Sequence, residues 1–278
     1  MTDSLSTTLS QLRNRYFWYG VSSLVLMFGA WETGSRSEQW FGFYTPSLGA
    51  LPPPDLILGT LFHMIGTLEF WQNVWLSCVR VFVGFTAAVV LGVPFGLLLA
   101  LNRFFHGIFF PSFEVFRPIP PIAWVPASII FWPTQFLSIG FVTFLGAFFA
   151  IVISVIGGVR LIDVRYVQAA RSMGSSRLDI FRRIIIPGVL PSIIVGAVIG
   201  IGITWQVVIA AELISGGGSA AGSSGGLGSF IWNAYVTGGP EAETHIIIGM
   251  FSIGVAGALS SELLRAAGKW VTPWLSST

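Results

Sequence analysis

The residues that decide the fold read Gln168-Ala-Ala-Arg-Ser-Met-Gly-Ser-Ser-Arg-Leu-Asp-Ile-Phe-Arg-Arg-Ile-Ile-Ile-Pro187. This charged, helix-forming stretch lies between two long apolar segments, in a chain of 278 residues that is 54% hydrophobic and only 9% charged. A soluble domain of this size rarely combines so much apolar sequence with so little charge. The composition therefore predicts a membrane protein in which residues 168–187 lie in water, open to a partner.

The apolar stretches predict six transmembrane helices, because a hydrocarbon core about 30 Å thick requires about 20 apolar residues per helix. These stretches lie near 16–31, 73–101, 108–132, 136–157, 189–214 and 244–264. We therefore predict an all-α integral membrane protein. Residues 1–15 form a cytoplasmic N-terminal segment in this prediction, and residues 16–278 form a single transmembrane domain.

The distribution of basic residues predicts the orientation, since cytoplasmic loops carry an excess of Lys and Arg. With the N-terminus inside, six spans leave only Arg36 on the outer side and place Arg80 and Arg117 within spans. The basic residues on the cytoplasmic side are then Arg13, Arg15, Arg103, Arg160, Arg165, Arg171, Arg177, Arg182, Arg183, Arg265 and Lys269. Both termini are therefore predicted to be cytoplasmic.

Capping chemistry predicts two short helices in the charged stretch. Asp163 can cap the first helix and Gly174 can end it. Ser176 and Asp179 have the spacing of a capping box for the second helix, on which Leu178, Phe181 and Ile185 share one face. Ala169 and Ala170 are predicted to offer a surface for close approach. An ordinary amphipathic interfacial loop is the alternative to a docking surface.

The predicted third span is interrupted by prolines. Pro111, Pro118, Pro120, Pro121 and Pro126 fall within sixteen residues, so Arg117–Pro121 cannot be regular helix. Unwound backbone at membrane depth is tolerated where protein or a water-filled cavity receives its polar groups. Residues 117–121 are therefore predicted to line a cavity, with a packed kink as the alternative.

The predicted fifth span carries small and polar residues. Gly196 and Gly200 have the spacing that lets helix backbones approach closely in lipid. Trp205, Gln206 and Glu212 follow, and Gly216–Ser229 are predicted to form a flexible outer loop before a short apolar segment, Phe230–Trp232. Arg80, Glu114, Arg117 and Glu212 are costly in lipid and indicate either an internal path or mutual pairing.

Several classes of site have no support in the sequence. A phosphate-binding GxxxxGK[ST] loop is absent, the three histidines His63, His106 and His245 lie far apart, and Cys78 is the single cysteine. We therefore predict no catalytic residue, no metal site, no bound cofactor and no nucleic-acid partner.

The charged stretch resembles the "EAA" signature of ABC-transporter permeases at Gln168, Ala169, Ala170, Gly174, Ile184, Ile186 and Pro187, with Gln168 in place of the usual Glu. Arg117-Pro-Ile-Pro-Pro-Ile-Ala-Trp-Val-Pro126 resembles the "RPIPPLAWLP" stretch of permeases for nitrate, sulfonates, taurine and bicarbonate. Leu51-Pro-Pro-Pro-Asp55, Ala210-Ala-Glu212 and Gly225-Gly-Leu-Gly228 are similar to other segments of that family.

The resemblance implies a type I importer permease with six transmembrane helices and cytoplasmic coupling helices at about 163–186. The family works as a pair of permeases, with ATPase subunits that use ATP and Mg²⁺ and with a periplasmic or lipid-anchored binding protein in a bacterial inner membrane. The ATPase-coupling residues are then Gln168, Ala169, Ala170, Arg171, Gly174, Leu178, Ile186 and Pro187.

We predict a translocation path between the third and fifth spans for a small anion such as nitrate, bicarbonate, taurine or an alkanesulfonate. Its predicted residues are Arg117, Pro118, Pro120, Pro121, Trp124, Trp205, Gln206 and Glu212. Glu212 is expected to brace the path rather than to touch the anion. The alternatives are a secondary transporter or channel that needs no ATPase, and a membrane scaffold without transport.

Overall fold

The computed structural model describes residues 2–43, 49, 51–216, 225–239 and 241–275, and within them the chain forms helices and no strand. The α-helices are α1 Thr2–Ser35, α2 Ser37–Phe41, α3 Pro54–Ile65, α4 Leu68–Leu101, α5 Arg103–Phe116, α6 Val125–Phe131, α7 Gln135–Leu161, α8 Val164–Ser172, α9 Arg177–Ile180, α10 Ile186–Gly216, α11 Leu227–Thr237 and α12 Ala242–Val271. The predicted all-α class is confirmed.

Four continuous helical stretches in the described chain are long and apolar enough to cross a membrane: Leu68–Leu101, Gln135–Leu161, Arg177–Ser215 and Ala242–Val271. They correspond to the predicted second, fourth, fifth and sixth spans. The predicted first span falls within α1, and the predicted third span is divided into two shorter helices. The number six therefore stays a prediction.

The predicted third span is interrupted at the prolines, as the sequence predicts. Helix α5 begins directly after Asn102, whose side chain accepts hydrogen bonds from the Phe104 and Phe105 amides, so no loop separates it from α4. It ends at Phe116, and residues 117–120 are non-helical. A short 3-10 helix, Pro121–Trp124, then leads into α6.

The chain divides into two compact units, of which the first comprises Met1–Thr67 and Thr237–Ile248 and the second Leu68–Val236 and Gly249–Thr278. The single transmembrane domain stays a prediction. In the first unit, Arg36 lies 2.6 Å from a Glu32 carboxylate oxygen and 2.7 Å from one of Asp55. The hydrogen bond from Arg36 lowers the pKa of Asp55 below its ordinary value. Asp55 lies in the first turn of α3, and Pro53 is the N-cap residue of that helix.

The core of the second unit lies among α4, α7 and α10, and its fully buried residues include Val81, Val142 and Ile201. Gly196 confirms the predicted close approach of helices, because a Cβ at this position would lie 2.5 Å from the Ser154 Cβ on α7. By contrast, many large side chains on the outside are apolar, among them Trp75 at 70% exposure and Ile130 at 82%. An apolar exterior around a packed core is what a surrounding bilayer requires.

Candidate functional site

The charged stretch forms a helix, a tight turn and a second helix, and residues 163–186 are called the coupling segment below. The Asp163 side chain caps α8 by accepting a hydrogen bond from the Arg165 amide at 2.9 Å. After α8 the Gly174 amide donates to the Arg171 carbonyl and the Ser175 amide to the Ala170 carbonyl, which is the Schellman arrangement. Gly174 has φ +78°, so the predicted glycine stop is confirmed.

The second helix is capped as predicted, because the Ser176 hydroxyl oxygen accepts a hydrogen bond from the Asp179 amide at 3.2 Å. It does not end before the fifth span, however. Residues Phe181–Ile185 form a π-helical turn in which the Ile186 amide donates to the Phe181 carbonyl, and α10 follows directly. Pro187 provides a physical reason, since it lacks an amide hydrogen and its ring crowds the carbonyl four residues earlier. The second helix, α9, is therefore continuous with the fifth span.

The predicted coupling residues divide between the surface and the core. Gln168, Ala169, Arg171, Gly174 and Leu178 are exposed, whereas Ile186 and Pro187 are half-buried. Ala170 is buried within the chain and therefore offers no approach surface, which corrects that prediction.

The predicted apolar face of the second coupling helix is also only partly buried. Phe181 and Ile185 pack against the core, but Leu178 is 55% exposed. Met173 is 78% exposed in the turn. A charged segment thus presents uncovered apolar side chains.

The residues of the interrupted span lie at the surface of the second unit. Arg117 and Glu114 are about half-exposed and pair through an Nη1 to Oε1 distance of 3.3 Å. Pro118 and Pro120 are exposed, and Pro121 is half-buried. The 3-10 helix Pro121–Trp124 packs against α7 and α10. The indole Nε1 of Trp124 is buried and has no hydrogen-bond acceptor among the described residues.

A cavity of about 510 Å³ lies between α10 and α12. Trp205 and Gln206 contribute to its wall, and the Trp205 Nε1 donates to the Ser260 hydroxyl at 2.9 Å. Glu262 and Arg265, which form an ion pair, lie at the same cavity. Its wall contains no residue of 117–124, so this cavity joins Trp205 and Gln206 but not Arg117.

Two predicted intramembrane charges pair inside the second unit. The Nη1 of Arg80 on α4 lies 2.7 Å from the Oε1 of Glu212 on α10, and these side chains are 4% and 0% exposed. The hydroxyl of Ser77 donates to both Glu212 oxygens at 2.9 Å. Ser77, Arg80 and Glu212 are called the buried charge cluster below. Glu212 is fully enclosed and does not line the cavity between α10 and α12.

The buried charge cluster holds the backbone that begins α11. Arg80 donates to the Gly225 carbonyl at 2.7 Å, the Leu227 amide donates to the Ser77 hydroxyl at 2.9 Å, and the Gly228 amide donates to Glu212 Oε2 at 2.9 Å. Gly226 has φ +133°, and a Cβ there would lie 2.5 Å from the Glu212 carboxyl carbon. The prediction of a flexible outer loop is therefore wrong for residues 225–229. The part of the predicted loop at 217–224 lies outside the described residues.

Sequence reasoning missed Asn73 and Ser77. The Asn73 side-chain oxygen accepts a hydrogen bond from the Gly226 amide at 2.8 Å. Asn73, Ser77 and Arg80 are spaced four and three residues apart, which places them on one face of α4. A polar stripe in an otherwise apolar span was the signal that could have found them.

Comparisons with known proteins agree with this geometry. The family described as "Binding-protein-dependent transport system inner membrane component" matches residues 92–277. The chain belongs to this family. It is therefore a permease subunit of an ABC importer and not an enzyme, and ATP hydrolysis belongs to partner ATPase subunits. A secondary transporter, a channel or a scaffold is thereby excluded.

Individual relatives extend the similarity over most of the permease. It is 32% identical to the taurine transport system permease protein TauC of Escherichia coli, over 81% of this chain and 80% of the relative. It is 33% identical to the nitrate import permease protein NrtB of Leptolyngbya laminosa, over 79% and 75%. It is also 33% identical to the bicarbonate transport system permease protein CmpB of Synechococcus elongatus, over 73% and 69%.

A solved structure supports the fold of the permease. A chain of the inward-facing MetNI methionine ABC transporter superposes with a TM-score of 0.55 at 21% identity, covering 74% of this chain and 95% of that one. Among the described residues, no group of three or more His, Cys, Asp or Glu side chains could hold a metal ion. The family relation implies partner ATPases that use ATP and Mg²⁺, a substrate-binding protein and a multi-pass membrane location.

Proposed function

We propose that this permease imports a small anion with a charged oxygen-bearing group. The supporting observation is its similarity to permeases named for taurine, nitrate and bicarbonate, at 32–33% identity over 73–81% of the chain. The three compounds share an anionic sulfonate, nitrate or carboxylate-like group of similar size. An alkanesulfonate belongs to the same chemical class. Hydrogen-bond donors of the permease inside the membrane would replace the water molecules that hydrate such an anion.

The coupling segment is proposed to dock on the ATPase. Its two helices are capped, its turn is fixed by Gly174, and Met173 and Leu178 remain uncovered on a charged surface. A partner that buries these apolar side chains would gain free energy from their removal from water. The proposed contacts are Gln168, Ala169, Arg171, Gly174 and Leu178, with Ala170, Ile186 and Pro187 supporting them from within.

The path is proposed to run between the interrupted span and α10. Residues 117–120 leave backbone groups outside any helix, and Trp124 carries a buried indole Nε1 without an acceptor. Trp205 and Gln206 line the cavity beside α12. The proposed path residues are Arg117, Pro118, Pro120, Pro121, Trp124, Trp205 and Gln206, with Glu212 as a buried brace.

The assembly is proposed to contain two copies of this chain, two ATPase subunits and a periplasmic or lipid-anchored binding protein in a bacterial inner membrane. Support comes from the family and from the single coupling segment that each chain presents. The excess of basic residues in the predicted cytoplasmic loops supports an arrangement with both termini inside.

The test is uptake by the complex in liposomes. Radiolabelled nitrate, bicarbonate and taurine are each supplied with the cognate binding protein, with and without ATP. We expect ATP-dependent uptake of one anion, competition by related oxyanions and none by a neutral sugar. Uptake that does not need ATP would contradict the coupling role, and competition by neutral sugars would contradict the substrate class.

Variants test the path within the same assay. We expect Gln206→Leu and Trp124→Ala to reduce uptake while the complex still assembles, because each removes a donor from the proposed path. Trp75→Ala is the matched control, since Trp75 is 70% exposed on α4. Unchanged kinetics in both path variants would remove this path.

A further inference from the structure

The start of α11 is capped by side chains from other helices. Leu227 and Gly228 begin α11, and their amides have no earlier helical carbonyl to bind. Ser77 of α4 and Glu212 of α10 accept these two hydrogen bonds at 2.9 Å. The carboxylate also lies at the positive end of the α11 dipole. Three helices therefore meet at one buried ionic joint.

One of these helices reaches the coupling segment without interruption. Residues Arg177–Ser215 form a continuous helical stretch of 39 residues, which corresponds to roughly 58 Å at the rise of an α-helix. Ser176 and Asp179 cap its first turn, and Glu212 lies close to its last residue. The second half of the coupling segment and Glu212 of the buried charge cluster therefore lie on one continuous helical stretch.

We propose that the buried charge cluster locks α11 to α4 and α10, so that movement of the coupling segment is passed to α11. This inference rests on the proposed docking of the coupling segment on the ATPase. It assigns Ser77, Arg80 and Glu212 as positioning residues that touch no substrate. It also assigns α11 as the element at the far end of α10 that responds to the ATPase.

The burial of the cluster explains why the joint is rigid. Separation of α11 from α10 would leave the Glu212 carboxylate without the Gly228 amide, and separation from α4 would leave Arg80 without the Gly225 carbonyl. Each separation would remove one hydrogen bond from a charged group that is enclosed in the protein, and this loss is unfavourable where water cannot replace the lost partner. Gly226 and Gly228 permit this fit, because a Cβ at either position would lie within 2.6 Å of Glu212 or the Ile209 carbonyl.

The experiment weakens the joint without removing a charge. Ser77→Ala deletes the hydroxyl between Glu212 and the Leu227 amide. Asn73→Ala deletes the acceptor for the Gly226 amide, together with a donor to the Glu69 carbonyl of its own helix. Thr204→Val is the matched control, since among the described residues the buried Thr204 hydroxyl on α10 binds the Gly200 carbonyl of its own helix and no residue of another helix. The complete complex is reconstituted for each variant.

Two readouts are measured on each variant. The first is the number of anions imported per ATP hydrolysed. The second is the distance distribution between spin labels at Ile214 and Tyr235, both exposed, in a Cys78→Ala background with labelled chain diluted into unlabelled chain. For the parent and the control, we expect a narrow distribution that is the same without nucleotide and with ATP. In Ser77→Ala we expect a broadened distribution and a roughly tenfold lower import ratio, with a smaller loss in Asn73→Ala.

The outcomes separate this inference from the proposed function. An unchanged import ratio and distribution in Ser77→Ala would overturn the lock, and so would an equal loss in Thr204→Val. If the parent complex shows no ATP-driven uptake, the proposed function fails. In that case the spin-label distances still test whether the buried charge cluster fixes α11. A broadened distribution in Ser77→Ala supports this role, and an unchanged distribution overturns it.

Discussion

Gly174 shows how one backbone angle shapes the coupling segment. Its φ of +78° lies in the left-handed region, whereas a Cβ at this position would meet no atom within 4 Å. A β-branched residue here therefore carries backbone strain of about 1–3 kcal/mol and no clash within the chain. We expect Gly174→Val to shift the turn and to uncouple ATP hydrolysis from uptake while membrane insertion is retained.

The matched control for this change is Gly174→Asn, because asparagine tolerates the left-handed region better than other side chains. Uptake and ATP hydrolysis are measured on the same liposomes for both variants. Asn should keep most of the coupled uptake. Normal coupled transport by the Val variant would show that the coupling segment does not depend on this turn.

The pairing of Arg80 with Glu212 predicts an asymmetric response to mutation. Glu212→Ala leaves Arg80 buried without its counter-ion, and removal of one partner of a buried pair costs about 3–5 kcal/mol. Arg80→Met with Glu212→Leu removes both charges but orphans the Gly225 carbonyl and the Gly228 amide. We expect that double change to cost less than the single change, because it leaves neutral groups rather than a charge unpaired.

Titration with SDS, followed by tryptophan fluorescence, measures the free energy of unfolding of these variants. Glu114→Ala provides the control, since Glu114 and its partner Arg117 are about half-exposed. That change should alter stability by less than about 1 kcal/mol. Equal losses for the single and the double change at the buried pair would contradict this account.

At the scale of elements, the π-helical turn Phe181–Ile185 sets the angular relation between the coupling segment and α10. It inserts about one residue, and one residue of an α-helix corresponds to a rotation of about 100°. We expect Pro187→Ala to restore regular helix and to rotate Leu178 away from its docking orientation. Pro191→Ala is the matched control, because Pro191 lies within α10 beyond the π-helical turn. Co-purification with the ATPase should weaken only for Pro187→Ala, and equal retention by both variants would contradict this role.

Local chemistry predicted some elements well and missed others for identifiable reasons. Asp163, Gly174 and Ser176 act within a few residues of their own position, so their caps could be read from the sequence. The continuity of α9 with α10 could not, because Pro187 also marks an ordinary helix boundary. The glycine-rich stretch at 225–228 resembled a flexible loop, since the residues that fix it, Asn73 and Ser77, lie about 150 residues away along the chain.

At the scale of the whole molecule, transport requires that the proposed path residues face one passage. The cavity between α10 and α12 contains Trp205 and Gln206 but no residue of 117–124. A passage formed between two copies of the chain would give these separate surfaces a common space. The membrane exterior could be predicted from composition, but the arrangement of such surfaces depends on assembly and could not.

Assembly gives the last prediction, because the described residues contain one segment that we propose as an ATPase contact, and an importer of this family hydrolyses ATP on partner subunits. We expect native mass spectrometry to show two copies of this chain with two ATPase subunits. Leu178→Asp should abolish co-purification, since it places a charge on an exposed apolar contact. Lys269→Asp, an exposed change on α12 outside the coupling segment, should leave the complex intact. A fully active complex with one copy of this chain would contradict the paired arrangement. If the Leu178→Asp variant still co-purified with the ATPase, the proposed contact would be contradicted, because docking would bury the new Asp carboxylate in the interface.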